Sequence, residues 1–155
     1  MDQLDNWNLQ SWLKLNPFVN PFGITLNLKH RLNTIAVDLY ECQKALRYFM
    51  NRLNRRLLKG RYSRGKQRLN IIPTYNVGKF KERQHYHLMV DIPKVNKTGE
   101  IEDIVNDCWS KVQQSYGKAF VEKVYSDGWF RYITKLKSNK DFVDCNNLFL
   151  AQTPV

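Results

Sequence analysis

The sequence predicts an α+β domain built on an antiparallel sheet with helices packed on it. Three observations carry this expectation. Two segments, residues 22–29 and 85–92, alternate apolar and polar residues with a period of two. Two others repeat apolar residues at helical spacing. The predicted elements follow one another as β-α-β-β-α-β-α.

Each element has its own reasons. Residues 1–15 hold Trp7, Trp12, Leu13 and Leu15 and read as a short helix. Asn16-Pro17-Phe18 and Asn20-Pro21-Phe22 then read as turns. In the first strand, Phe22, Ile24, Leu26 and Leu28 take one face, and Gly23, Thr25, Asn27 and Lys29 the other. Residues 34–59 read as a long helix with Thr34 as N-cap, a stripe of Leu46, Phe49, Met50, Leu53 and Leu57, and Gly60 as its stop. A basic loop, 61–68, follows. Residues 69–76 form a second strand, which Pro73 assigns to an edge or a bulge. In the third strand, Tyr86, Leu88, Val90 and Ile92 point one way, and His85, His87, Met89 and Asp91 the other. Residues 101–115 form a helix whose start carries Glu100, Glu102 and Asp103, as the helix dipole prefers. Residues 119–125 form a fourth strand of ambiguous facing. Asp127 can cap a last helix over 128–138. The βαββαβ part is the ferredoxin-like split βαβ order, with helices on one sheet face and the first and third strands central. The expected organisation is an N-terminal appendage, 1–21, a domain over 22–138 and a tail, 139–155, without an assigned place.

Composition narrows function. A chain of 155 residues is one domain with a core of its own. No apolar run is long enough to span a bilayer, and Asp2 and Asp5 without a basic stretch predict no signal peptide. Cys42, Cys108 and Cys145 are odd in number and far apart, which excludes a disulfide framework and a CxxC metal knuckle and suits a reducing cytoplasm. The net charge is +11, and nine basic residues fall between Arg47 and Arg68 with no acid among them. With 13% aromatic residues, a nucleic acid is the expected partner. The alternative is a solvated helix face and loop.

Two of the three histidines, His85 and His87, stand two apart on a strand and project from one face. Such a pair can converge on one cation, or can be two surface histidines. If the turn before the third strand centres near Phe80–Lys81, Asn76 lies opposite His85 and Thr74 opposite His87. Asn76 then offers a carbonyl oxygen as third ligand, and Glu82, in the turn, is the alternative. Tyr132 and Lys135 stand at i and i+3 on the last helix, beside a stripe of Trp129, Ile133 and Leu136. By itself a YxxK pair is far more often a boundary tyrosine beside a solvated lysine.

Taken together, Phe22-Gly23-Ile24-Thr25-Leu26, His85-Tyr86-His87 and Tyr132-Ile133-Thr134-Lys135 resemble the three motifs of the HUH endonuclease superfamily. More narrowly, they resemble the single-tyrosine replication initiators of rolling-circle plasmids, phages and single-stranded DNA viruses. The resemblance spans residues 22–138. It implies nicking of single-stranded DNA that depends on Mg²⁺ or Mn²⁺, a 5′-phosphotyrosine intermediate and strand rejoining. On this reading His85 and His87 hold the metal, with Asn76 or Glu82, or DNA phosphate and water, completing the set; Tyr132 is the nucleophile and Lys135 assists it. Thr25 and Asn27 touch the strand. Arg47, Arg55, Arg56, Arg61 and Arg64 grip the backbone, with an origin hairpin as one form of substrate. One departure is plain: many members carry a glutamate at the end of the second strand, where this chain reads Thr74-Tyr75-Asn76. No GxxxxGK[ST] pattern occurs, so a helicase would be a separate host protein, among host replication partners in the cytoplasm. Two other readings share the fold: a single-tyrosine transposase, and a non-enzymatic binding module of the RNA-recognition type.

Overall fold

Phe22, Ile24 and Leu26 are all buried on one side of β1 (Pro21–Asn27), an inner strand of the sheet. The computed structural model describes residues 6–78, 83–93, 98–135 and 140–151. It is an α+β structure with one five-stranded antiparallel sheet, compatible with a ferredoxin-like arrangement. The sheet comprises β1, β4 (Ile71–Asn76), β5 (His85–Asp91), β6 (Phe120–Lys123) and β7 (Phe142–Val143), in the order β6-β1-β5-β4-β7. Helix α2 (Leu39–Leu58) lies between β1 and β4 in the chain, and α4 (Thr98–Ser110) between β5 and β6.

These two helices cover one face. Leu46, Phe49 and Leu53 of α2 and Val105 and Trp109 of α4 meet Ile24, Leu26, Tyr86 and Leu88 of the sheet in the main core. Phe49 and Trp109 pack edge to face, 5.7 Å apart. The opposite face, expected to be open, is covered at one end. There Ile72 and Met89 form a second cluster with Leu9 of α1 (Asn6–Leu15) and with Phe130 and Ile133 of α5 (Gly128–Thr134). The other end of that face, with Thr25, Asn27, His85 and His87, is half-buried.

Several boundaries differ from expectation for local reasons. The expected start of the long helix, 34–36, instead belongs to a small hairpin, β2 (Arg31–Leu32) and β3 (Ile35–Ala36), which turns at Asn33 with φ 56°. Asparagine tolerates that left-handed geometry. Helix α2 therefore starts later, and its cap is Asp38, whose carboxylate accepts from the Glu41 N–H at 2.9 Å. At the other end Lys59, not Gly60, takes the positive φ of 51°. Gly60 then opens a short helix, α3 (Gly60–Ser63), inside the segment expected to be a loop. The last helix stops at Thr134; the part of its expected span beyond Lys135, 136–138, lies outside the described residues.

The tail without an expected place extends the sheet. Val143 and Phe142 pair with Thr74 and Tyr75, and Ile71 and Phe149 exchange two backbone bonds. The expectation that Pro73 marks an edge or a bulge is not met: β4 lies between β5 and β7, and Pro73 pairs in register with Leu88. Its carbonyl accepts from the Asp144 N–H at 2.9 Å, just past the two residues of β7. Asp144 is fully buried and accepts from the Tyr86 hydroxyl at 2.7 Å and from the Asn147 side chain at 2.8 Å. Among the described residues no helix is long and apolar enough to cross a membrane.

Candidate active site on the sheet face

Cross-strand register assembles the candidate residues. Across β1, β5 and β4, Thr25, His87 and Thr74 form one row, and Asn27, His85 and Asn76 the next. Residues directly opposite share a face, so six polar side chains meet on one patch. The pairing of Asn76 with His85 and Thr74 with His87 is the one the turn spacing predicts. The two imidazoles are 4.8 Å apart, centroid to centroid.

Hydrogen bonds orient both rings. His85 Nδ1 lies 2.9 Å from the Arg83 carbonyl oxygen. A carbonyl only accepts, so Nδ1 carries the proton and, in the neutral ring, Nε2 presents its lone pair. His87 Nδ1 lies 3.0 Å from Thr25 Oγ1, an arrangement that fixes the ring plane. Asn76 donates its Nδ2 to the Thr74 carbonyl at 3.0 Å, which leaves Oδ1 as the atom a cation could use. The Thr74 hydroxyl, beside His87 in the register, is buried with no hydrogen-bond partner among the described residues.

Helix α5 brings the tyrosine. Its Trp129 indole N–H donates to the Leu88 carbonyl at 3.0 Å, which ties the helix to β5. Trp129 also lies against β1, where Gly23 makes room: a Cβ at residue 23 would stand 2.6 Å from Trp129 Cε2. Tyr132, one helical turn on, then falls beside His87. Its ring centroid is 5.4 Å from that of His87 and 5.6 Å from that of Trp129. Tyr132 is 48% exposed, so a substrate can reach it.

The remaining expected residues stand elsewhere. Lys135 is the exposed C-cap of α5, where ψ of 88° leaves helical geometry, so it follows Tyr132 at the helix end rather than within a continuing helix. Glu82 lies outside the described residues. Arg47, Arg55 and Arg56 ride α2, which packs on the sheet face opposite the histidines. Arg56 is paired with Asp107 at 2.6 Å. Arg55 lines a groove of about 420 Å³ with Arg52, Lys111 and Tyr48. Arg61 is exposed on α3, and Arg64, its exposed C-cap, folds back towards Gly60.

The other tyrosines are distinguished by environment. Burial, followed by the Asp144 carboxylate, pushes the Tyr86 phenol far above its ordinary value. Burial likewise pushes Tyr75 up to about 12, and its hydroxyl donates to Gln84 at 2.7 Å. The Tyr62 hydroxyl donates to Asn51. Tyr125 is 89% exposed and shares a groove with Trp129 and Tyr132.

The sequence places Trp129 in the stripe that docks the last helix and Thr74 opposite His87, as the structure has them; it does not reveal the close fit of Trp129 over Gly23 or the buried Thr74 hydroxyl without a partner among the described residues. No three or more His, Cys, Asp or Glu side chains cluster among the described residues. Among the described residues the three expected ligands offer two imidazoles and one amide oxygen. That nitrogen-rich set suits Mn²⁺ better than Mg²⁺, which demands oxygen ligands. Comparison with family models, with curated proteins and with solved structures gives no match.

Proposed function

We propose that this chain is a divalent-metal-dependent endonuclease and strand transferase that nicks single-stranded DNA at a replication origin. The observation that carries the reading is the placement of the Tyr132 ring 5.4 Å from His87, itself 4.8 Å from His85, on one sheet face. The strand order also supports it. With β6, β1, β5 and β4 as fourth, first, third and second strands of a βαββαβ core, the central pair carries the histidines and the helix after the fourth strand carries the tyrosine.

On this proposal the scissile phosphate lies between the histidines and α5. A cation held by His85, His87 and Asn76 would supply charge neutralisation at a non-bridging oxygen. The Tyr132 oxygen attacks phosphorus as its proton leaves to water. The P–O3′ bond breaks, the departing oxygen takes up a proton, and the 5′ end stays on Tyr132 as a phosphodiester. The retained bond lets a later 3′-hydroxyl reverse the step and join the strand. Trp129 and Gly23 set the height of the phenol above the sheet, and Thr25 sets the plane of His87. Lys135 offers positive charge at the helix end. Unwinding would fall to a separate host helicase.

Trapping tests this directly. The chain is incubated with Mn²⁺ and a pool of labelled single strands, then denatured. A protein–DNA adduct that survives denaturation is expected, mapping to the peptide with Trp129 to Lys135 and absent in Tyr132→Phe. An adduct that persists in Tyr132→Phe, or sits on Tyr125, overturns the assignment. A second reading, a single-strand-binding module without chemistry, is favoured by one observation: Phe120 is 67% exposed and pairs with Thr25 on the sheet. That reading predicts binding with no adduct from any oligonucleotide.

A further inference from the structure

We infer that the β6 edge of the sheet is a stacking platform for unpaired bases of single-stranded DNA, built from Phe120 and from Tyr116 beneath Arg83. The inference rests on the proposed function and names how that site would receive its substrate.

Phe120 is directly opposite Thr25, which is opposite His87, so the three side chains share a face in one continuous row. The outermost member is aromatic and mostly in water. A β-branched or polar residue would serve an edge strand as well, and an exposed phenyl ring on a sheet carries a hydration penalty that a stacked base removes. The second component lies alongside the next row. The Tyr116 N–H donates to the Asn27 carbonyl at 2.9 Å, which places Tyr116 beside the residue that pairs with His85. The Arg83 guanidinium sits 3.5 Å from the Tyr116 ring centroid, and the Arg83 carbonyl is the acceptor that orients His85. Platform and histidine are thus tied by one residue.

Charge selects the occupant. Lys29 and Lys118 are exposed around Tyr116, and Arg83 caps it, so phosphates are favoured on that side. Glu122, two residues beyond Phe120 on the same face, disfavours them on the other. A strand entering past Tyr116 and Phe120 would stack on the sheet edge and deliver its next phosphate towards His87 and Tyr132. An unpaired base offers both of its faces, whereas a duplex does not, so the platform selects single strands.

The test is a binding measurement in the Tyr132→Phe background without added metal, so that it is independent of cleavage. Fluorescent single strands are titrated into the parent and into Phe120→Ala, Phe120→Leu, Phe120→Trp and Tyr116→Ala. Loss of one stacked base should weaken binding roughly 5- to 150-fold. Phe120→Leu keeps an apolar edge without a ring and should behave as Phe120→Ala, whereas Phe120→Trp should bind as the parent or tighter. An abasic site at one position of the oligonucleotide should erase the difference between the parent and Phe120→Ala, which identifies the stacked base. Equal binding by the Ala and Leu variants, within twofold of the parent on all oligonucleotides, overturns the platform. So does a parent dimer in solution that Phe120→Leu dissociates, because the ring would then serve a second copy of the chain. If the Phe120 variants lose binding but Tyr132 never forms an adduct, the platform stands and the nicking proposal falls. If the adduct forms and the variants bind normally, the reverse holds.

Discussion

His85 and His87 are equivalent in sequence but not in their contacts, and this separates two variants that a motif would treat alike. His85 touches His87 and the Arg83 carbonyl. His87 also packs edge-on against Trp129 and Tyr132. His85→Ala should therefore abolish the Mn²⁺-dependent adduct and leave the thermal midpoint nearly unchanged. His87→Ala should abolish the adduct too, and in addition lose about 1 kcal/mol from its two aromatic contacts. Calorimetry of both proteins beside the trapping assay checks this; full cleavage by either at the same metal concentration removes the histidines from the mechanism. The site's polar patch was legible in the sequence because strands have a strict period of two. Once the turn near residues 80–81 is placed, Asn76 must face His85. Contacts across elements were not legible in that way. Nothing in the spacing of Tyr86 and Asp144, 58 residues apart, announces their hydrogen bond.

At the scale of the element, α5 has only seven residues and depends on docking for its position. Trp129 is its anchor, held by the Leu88 carbonyl and by the space above Gly23. A methyl at residue 23 would overlap the indole ring, so Gly23→Ala should displace the helix and cost about 1–3 kcal/mol, with most adduct formation lost. Trp129→Leu alone should also destabilise, because it empties the same space. The double variant should recover part of both losses, and that non-additivity, read from denaturant unfolding, is the check; strictly additive effects would mean that Gly23 and Trp129 do not share this contact. Elements differ in how far the sequence reveals them. Strands and long apolar stripes announce themselves by periodicity. The start of α2 did not, because Thr34 and Asp38 are both acceptable caps and only the hairpin at 31–36 decides between them. The place of the tail was hidden for another reason: β7 is two residues long, too short for alternation to register, and it is held by pairing with β4 and by buried Asp144.

For the whole molecule, the question is what the positive charge on the far side of the sheet does. The site occupies one face, and α2 carries Arg47, Arg52, Arg55 and Arg56 over the other. Asp107 engages Lys111 at 3.1 Å and also Arg56, and these exposed pairs, Lys111 first, hold its carboxyl below the usual range. Arg55 is exposed, has no carboxylate within ion-pairing distance among the described residues, and faces a groove. If the helical face carries part of the DNA while the other face engages the strand to be cut, binding must depend on salt through both. Four phosphate contacts in all give a log–log slope of about −3 for single strands. Arg55→Glu should then lower the magnitude of the slope by about 1 and weaken binding to all sequences alike, because phosphate contacts position without reading sequence. Phe120→Ala should weaken binding at every salt concentration and leave the slope where it was, since stacking releases no counterions. Titrations of the three proteins between about 50 and 200 mM salt separate the two contributions. A slope unchanged in Arg55→Glu would mean that the helical face meets only water, and that the DNA path is confined to the β6 edge and the histidines.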